Sequence, residues 1–130
     1  MTRLKVMTYN IRSCLVRGLK HDPMRIAKVI QSFNPDIIAL QEVDVGYKFK
    51  GGIDQAREIA RLLEMDVHFH PSVSMEEGGY GNAILSKFPM EKIKAAPLPR
   101  IETPVHLSFL ESFLKVTFEP RGVLWVEVLV

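Results

Sequence analysis

The sequence of 130 residues has little cysteine. Cys14 is the one thiol, so no disulfide can form within the chain. Because a chain without a disulfide framework is typical of a reducing compartment, we expect a cytoplasmic location. Long apolar runs are also missing: no stretch approaches the roughly eighteen apolar residues of a membrane span, and polar residues interrupt the apolar stretches at the amino end, unlike a signal peptide. The net charge of +2 indicates no dense basic surface for nucleic acid.

Hydrophobic residues make up 47% of the chain, enough for the core of one domain. Residues 4–11 have the pattern of a strand that is buried on both faces. Asp22-Pro23 then predicts the start of a helix, with Asp as N-cap, and Asn34-Pro35 predicts its end. The expected buried stripe of this helix is Ile26, Val29, Ile30 and Phe33. The apolar run 37–40 follows, so strand, helix and strand predict two parallel strands joined by a crossover.

The rest of the chain predicts further alternation of strands and a helix. Residues 43–52 are expected to form a loop, and Asp54 is expected to cap a second helix whose buried stripe is Ala56, Ile59, Ala60 and Leu63. A turn is expected at 76–79, and strands are expected at 67–70, 81–86, 90–99 and 122–130. Residues 101–119 fit a helix or a strand. The apolar run 123–130 would leave an open strand edge, so we expect a fragment, or a homo-oligomer that pairs through this strand.

Two polar residues lie where the predicted parallel strands end. Asn10 and Glu42 each follow an apolar run, and the carboxyl ends of neighbouring parallel strands lie side by side. A carboxylate and a carboxamide at that edge offer oxygen ligands to a hard cation such as Mg²⁺. The alternative is structural: Asn10 caps a turn, and Glu42 is a solvated strand end. Spacing alone leaves both interpretations open.

Four segments of the sequence give more specific information than the spacing of Asn10 and Glu42. They are residues 7–12 (MTYNIR), 35–43 (PDIIALQEV), 80–86 (YGNAILS) and 119–125 (EPRGVLW). In sequence, order and spacing they resemble the motifs of the endonuclease/exonuclease/phosphatase family, the DNase I-like metal-dependent phosphoesterases. The resemblance covers nearly the whole chain, and its first two segments are the most specific.

The resemblance implies an α/β fold, part of a four-layered α/β sandwich in which two sheets pack face to face with helices outside. It also implies a Mg²⁺- or Mn²⁺-dependent phosphodiesterase, nuclease or phosphatase. On this basis Glu42 is expected to bind the metal, with Asn10 beside it as a second metal or phosphate contact. Arg121 is expected to reach a phosphate oxygen, which suits a planar guanidinium. Tyr80 and Asn82 are expected to line the substrate cleft.

The family pattern continues beyond the last segment, with a Thr-His strand end, a Gly-Asp-Phe-Asn segment and a Ser-Asp-His segment. None of these occurs here. We therefore expect residues 1–130 to be the amino-terminal portion of one domain and to be inactive alone. The alternative is a non-catalytic interaction module of the same fold. Without a basic tract, a small phosphoester is favoured over nucleic acid as the substrate.

The histidines do not form a metal-ligand pattern. His68 and His70 alternate on a predicted strand, but no cysteine or third spaced ligand accompanies them. We expect them, together with His21 and His106, to be structural or surface residues. Two loops, at 45–53 and 100–118, are expected to select the substrate, as loops above strand ends commonly do.

Overall fold

The structure is a computed structural model, and it describes residues 3–18, 20–46, 52–75, 78–99 and 121–130. Two α-helices and six strands are found in these ranges, besides a short 3-10 turn at Arg12–Cys14. In chain order they are β1 (Val6–Asn10), α1 (Pro23–Phe33), β2 (Ile37–Val45), α2 (Gln55–Leu63), β3 (Asp66–Met75), β4 (Gly78–Ser86), β5 (Met90–Pro97) and β6 (Gly122–Val128). Neither helix in the described ranges is long and apolar enough to cross a membrane.

A four-stranded sheet in the order β1-β2-β4-β3 forms the centre. Strands β1 and β2 are parallel, in register from Val6 opposite Ile37 to Asn10 opposite Gln41, which confirms the predicted crossover unit. The other two pairings, β2 with β4 and β3 with β4, are antiparallel. The connection from β1 to β2 runs through α1, as a parallel pairing requires.

Both helices lie on one face of this sheet and enclose the core. From the sheet the core takes Ile38, Leu40, Val43, Ala83 and Leu85, and from the helices it takes Ile26, Ala27, Ile30, Ala56, Ile59 and Ala60. The two helices begin as the sequence predicts. Asp22 accepts the N–H of Arg25 at 3.1 Å, and Asp54 accepts the N–H of Arg57 at 2.9 Å. These side chains satisfy donors that an α-helix leaves open in its first turn.

The predicted stripe of α1 is only half correct. Ile26 and Ile30 are buried, but Val29 is 37% exposed and Phe33 is 63% exposed, and Ala27 is buried instead. At 100° per residue the buried face, which comprises Pro23, Ile26, Ala27 and Ile30, is centred close to Ile30, about 100° away from Val29. Phe33 is the last residue of the helix. The stripe of α2 is confirmed at Ala56, Ile59 and Ala60.

Three strands are longer than predicted. Residues 43–45, expected in a loop, continue β2, because pairing with β4 resumes at Val43 opposite Gly81 after an irregularity that begins at Leu40. Strand β3 extends to Met75, and Gly78 and Gly79, expected in a turn, belong to β4. From local composition each strand is expected to end at its first polar residues. In the structure, backbone pairing with the neighbouring strand continues beyond those residues.

A second sheet, the antiparallel pair β5–β6, lies against the other face of β3 and β4. Asn82 donates a hydrogen bond to the carbonyl of Gly122 at 3.2 Å, and His68 Nε2 lies 3.4 Å from the carbonyl oxygen of Met90. The order helices, sheet, sheet follows from these contacts. Residues 47–51, the segment 100–120 and His106 lie outside the described residues, so the predictions made for them stay predictions.

Candidate active site

The carboxyl end of β1 brings Asn10 into contact with Glu42, which follows the last residue of β2 that pairs with β1. The side-chain amide of Asn10 donates a hydrogen bond from Nδ2 to Glu42 Oε1 at 2.8 Å. The two residues are thirty-two positions apart in sequence, and the parallel register places Asn10 opposite Gln41, the residue before Glu42. The contact that the sequence predicted for this edge of the sheet is therefore present.

The orientation of the Asn10 amide is determined by its partners. Its Oδ1 accepts the backbone N–H of Arg12 at 3.0 Å, while its Nδ2 faces the carboxylate. A flipped amide would set two donors against each other at Arg12 and two acceptors against each other at Glu42. Asn10 therefore links the Glu42 carboxylate to the backbone that follows β1.

The backbone around this contact is strained. Six non-glycine residues in the described ranges have positive φ. Asn34 and Glu64 end α1 and α2, where a left-handed residue is routine. The other four are Arg12, Ser13, Cys14 and Glu42, with φ of 46°, 55°, 57° and 56°. Such residues cost about 1–2 kcal/mol each and persist where the surrounding structure holds them, often at functional sites.

A β-bulge puts Glu42 in this position. The pairing of β2 with β4 skips Gln41 and Glu42, since Leu40 lies opposite Ala83 and Val43 lies opposite Gly81. An extra residue of this kind bends a strand and turns a side chain in a new direction. The prediction that Glu42 ends its strand was therefore wrong, because the residue lies within β2, at the bulge.

Polar residues continue across the sheet from this contact. Asn82 is the β4 residue opposite the bulge, and on β3 it is paired with His70. We call Asn10, Glu42, Asn82 and His70 the polar row. The row crosses the sheet from β1 to β3, and its β4 member contacts the second sheet through the carbonyl of Gly122.

The other predicted site residues lie near this row. Tyr80 is half-buried and lies opposite Asp44, two residues beyond Glu42. Arg121 is exposed and directly precedes Gly122, the residue that Asn82 contacts. Of the five predicted residues, Asn10 and Glu42 touch, and Asn82, Tyr80 and Arg121 are placed along the same part of the two sheets.

Cys14 lies next to the site but is closed off from it. The side chain is fully buried, and burial, followed by the charges of Asp44 and Asp22, raises the pKa of the thiol to about 12. A nucleophilic cysteine needs a lowered pKa and some exposure. Cys14 therefore belongs to the hydrophobic core, and it extends that core to the segment that follows β1.

The donors at the Asn10–Glu42 contact fit a hard cation in part. No group of three or more His, Cys, Asp or Glu side chains capable of holding a metal ion occurs within the ranges that the structure describes. Mg²⁺ commonly uses one or two protein carboxylates, with water and substrate phosphate completing its octahedron. Glu42 supplies one such carboxylate, and Asn10 holds it in place.

Sequence reasoning missed a second group of residues at this end of the sheet. Gln55, at the start of α2, is 1% exposed and contacts the backbone beyond β1, at Ser13, and within β2, at Asp44. Thr8 and Gln41 also pair across the strands, at 3.1 Å. A signal for Gln55 was present: it lies four residues before Ile59 and thus on the buried face of the helix.

Comparisons with solved structures agree with this architecture. An endonuclease/exonuclease/phosphatase from Beutenbergia cavernae DSM 12333 matches with a TM-score of 0.65 and 25% identity, over 98% of this chain and 34% of its own. ANGEL2, a 2′,3′-cyclic phosphatase solved with adenosine-2′,3′-vanadate, matches with a TM-score of 0.51 and 18% identity, over 98% and 38%. The chain thus spans little more than a third of the length of these structures.

None of the curated proteins compared with this chain matches it. The family description matches directly: residues 7–125 fit the Endonuclease/Exonuclease/phosphatase family. The match includes Asn10, Glu42, Tyr80, Asn82 and Arg121. The fold predicted from the motifs, part of a DNase I-like α/β sandwich, is confirmed by the structural matches. On both grounds, this chain belongs to the endonuclease/exonuclease/phosphatase family.

Proposed function

We propose that this chain carries the metal-binding strands of a divalent-metal-dependent phosphoester hydrolase. The observation that supports the proposal most directly is the contact of 2.8 Å between Asn10 and Glu42 on strained backbone. Membership of a phosphoesterase family supports the reaction class. Mg²⁺ or Mn²⁺ is the proposed cofactor, because the available donors are oxygens.

Glu42 is the proposed metal ligand, and Asn10 is the residue that orients it. The hydrogen bond from Asn10 Nδ2 holds Glu42 Oε1 in place. Because the donor is a neutral amide, this contact orients the carboxylate without neutralising its charge. The Oδ1 of Asn10 has a second lone pair beyond the one used by Arg12, which is available to a metal or to a bridging water. A cation bound here would stabilise negative charge on the phosphoryl oxygens and on the leaving oxygen.

Arg121, Asn82 and Tyr80 are proposed to bind the substrate. Arg121 is exposed and directly precedes β6, and the planar donors of a guanidinium suit two phosphate oxygens. Asn82 lies opposite the Glu42 bulge, and Tyr80 lies opposite Asp44. These positions surround the carboxylate on the β4 side, where an ester bound to the metal would extend.

A small phosphoester is the proposed substrate class. The chain has seventeen Lys and Arg against fifteen Asp and Glu, which gives little attraction for a polyanion. A nuclease depends on many phosphate contacts, and its affinity falls steeply with salt. If the substrate is small, the KM should change little between low and moderate ionic strength.

The experiment is hydrolysis of bis-p-nitrophenyl phosphate with Mn²⁺ or Mg²⁺, measured on residues 1–130 and on the full reading frame that encodes them. We expect the 130-residue chain to be inactive, because general acid–base help is worth about 10²–10⁴-fold and its expected residues are not in this sequence. We expect EDTA and Glu42→Ala to remove the activity of any longer form.

Glu91→Ala is the matched control. Glu91 is exposed on β5, so its loss removes the same charge without touching the polar row. Equal losses of activity in the Glu42 and Glu91 variants would contradict a metal-ligand role. Rapid, EDTA-sensitive hydrolysis by residues 1–130 alone would contradict the expectation that this chain is inactive.

A second candidate is a non-catalytic interaction module. It is favoured by exposed apolar side chains on β6 and by those of Leu129 and Val130, which follow it. Val123 is 41% exposed, Trp125 is 53% exposed, and Leu129 and Val130 are each about two-thirds exposed. A second copy of the chain that covered this strand would produce a dimer. Light scattering after size-exclusion chromatography measures this, with Trp125→Lys as the variant that should restore a monomer. A monomeric parent chain would count against the module.

A further inference from the structure

Gln55 joins the two backbone segments that carry the proposed metal site. Its Nε2 donates to the carbonyl of Ser13 at 2.7 Å, and its Oε1 accepts the N–H of Asp44 at 3.0 Å. Ser13 lies three residues beyond Asn10, and Asp44 lies two residues beyond Glu42. Because a carbonyl only accepts and an N–H only donates, the orientation of the Gln55 amide is determined on both sides.

These contacts close a ring. Glu42 accepts from Asn10, Asn10 accepts from Arg12, and Arg12 is covalently joined to Ser13. Ser13 then accepts from Gln55, which accepts from Asp44, and the chain from Asp44 returns to Glu42 through Val43. We call this the Gln55 ring. A closed set of hydrogen bonds leaves each member fewer alternatives than an open chain of the same bonds.

The Gln55 ring accounts for the strained residues. Arg12, Ser13 and Glu42 are members of the ring, and Cys14 is the next residue along the chain. Left-handed residues persist only where their surroundings determine them. A second donor adds to this at Ser13, since His21 Nδ1 lies 2.6 Å from the same carbonyl oxygen. That contact requires Nδ1 to carry the hydrogen.

We propose that Gln55 is a positioning residue, whose two hydrogen bonds hold the backbone of β1 and β2 so that Asn10 and Glu42 meet. Gln55 lies beneath the site, 1% exposed, and touches neither side chain directly. The purpose of this positioning, metal binding, rests on the proposed function. The positioning itself is a property of the metal-free chain and can be measured without metal.

The test compares two replacements of Gln55 in the 130-residue chain. Gln55→Leu removes both hydrogen bonds. Gln55→Glu keeps an acceptor for the Asp44 N–H but sets an oxygen against the Ser13 carbonyl, and it serves if the leucine variant does not fold. Ile59→Val and Ile59→Ala are the controls, because Ile59 is fully buried on the same helix and belongs to no part of the ring.

The measurement is the ¹H–¹⁵N NMR signal of the Asn10 side-chain amide, with Glu42→Ala as the reference for a broken contact. We expect both Gln55 variants to move this signal at least half the distance towards the reference. The Ile59 variants should leave it in place at equal or greater loss of stability. A folded Gln55 variant whose Asn10 signal coincides with that of the parent chain would overturn the proposal.

A Mn²⁺ titration of the same samples separates the positioning from the proposed function. Loss of an outer contact to a metal ligand typically weakens binding about 10- to 100-fold, and we expect that loss in the Gln55 variants but not in the Ile59 variants. If Mn²⁺ leaves the Asn10 and Glu42 signals of the parent unchanged, the metal site fails, while the metal-free comparison still decides the role of Gln55.

Discussion

At the amino end of the parallel pair β1–β2, Asp36 accepts the backbone N–H of Lys5 at 2.8 Å. At the carboxyl end, Glu42 accepts the side-chain N–H of Asn10 at the same distance. Asp36 also receives the ammonium of Lys87 at 3.2 Å, and its backbone has no positive φ. Glu42 lies on a bulge with φ of 56°, and the hydrogen bond it receives from Asn10 comes from a neutral amide.

The difference separates a structural carboxylate from the one that we propose as a metal ligand. Asp36 ties three strand ends together, because Lys87 also donates its backbone N–H to the Asp36 carbonyl at 3.0 Å. The backbone N–H of Lys5 and then the ammonium of Lys87 lower the pKa of Asp36. Glu42 is instead held by strained backbone and a neutral partner, an arrangement that supports its proposed role as a metal ligand.

The largest expected effect concerns the rigidity of the Arg12–Cys14 turn, at the carboxyl end of the β1–β2 pair. If the turn at Arg12–Cys14 is held firmly, the buried Cys14 should be protected from alkylation. Its pKa is raised from 9.0 to about 12, so the thiolate fraction at pH 8 should be about 1000-fold below that of the unfolded chain. We expect iodoacetamide to label native Cys14 at least that much more slowly than Cys14 in urea.

Native labelling close to the unfolded rate would show that the strained turn opens readily, and the contrast between the two ends would then be one of mobility. The sign of the pH effect follows from the same burial. Because the folded pKa of Cys14 lies above its unfolded value, the thiol contributes stability that is complete below about pH 9 and is lost as the pH rises towards 12.

Sequence patterns predicted the part of this comparison that depends on local order. The apolar runs identified β1 and β2, and Asp22 and Asp54 identified the starts of both helices. The parallel pairing followed from the crossover helix, and with it the meeting of Asn10 and Glu42. Each of these features depends on residues close together in the sequence or on the rule that parallel strands end at the same edge.

The geometry that distinguishes the two ends could not be predicted in this way. The bulge at Gln41–Glu42 arises from the register between β2 and β4, and those strands are far apart in the sequence. The Gln55 ring likewise joins residues of β1, β2 and α2 that share no local pattern. No sequence pattern indicated that Asp36 links strand ends, because its partners Lys5 and Lys87 lie at the ends of other strands.

A smaller expected effect tests whether the backbone is strained at Glu42 and unstrained at Asp36. Glu42→Gly and Glu42→Ala both remove the carboxylate, but only glycine adopts positive φ without strain. We expect the glycine variant to be more stable by about 1 kcal/mol. At Asp36, where φ is ordinary, the order should reverse, with alanine the more stable. Urea unfolding followed by circular dichroism measures all four variants, and the same order at both positions would remove strain from the explanation.

The smallest expected effect is at the amino end itself. A folded pKa below the unfolded value contributes stability that is present above the unfolded pKa and is lost as the pH falls through the folded one. Asp36 has such a lowered pKa, so Asp36→Asn should be less stable than the parent near pH 6. The two proteins should converge as the pH falls below the ordinary pKa of an aspartate, about 4. Because the pair with Lys87 is partly exposed, salt should narrow the difference in stability between Asp36→Asn and the parent.

Urea midpoints of the two proteins, measured from pH 6 downwards, provide the measurement. A gap between the two proteins that is constant with pH would mean that Asp36 acts through its shape and not its charge, and the two ends of the strand pair would then differ in strain alone.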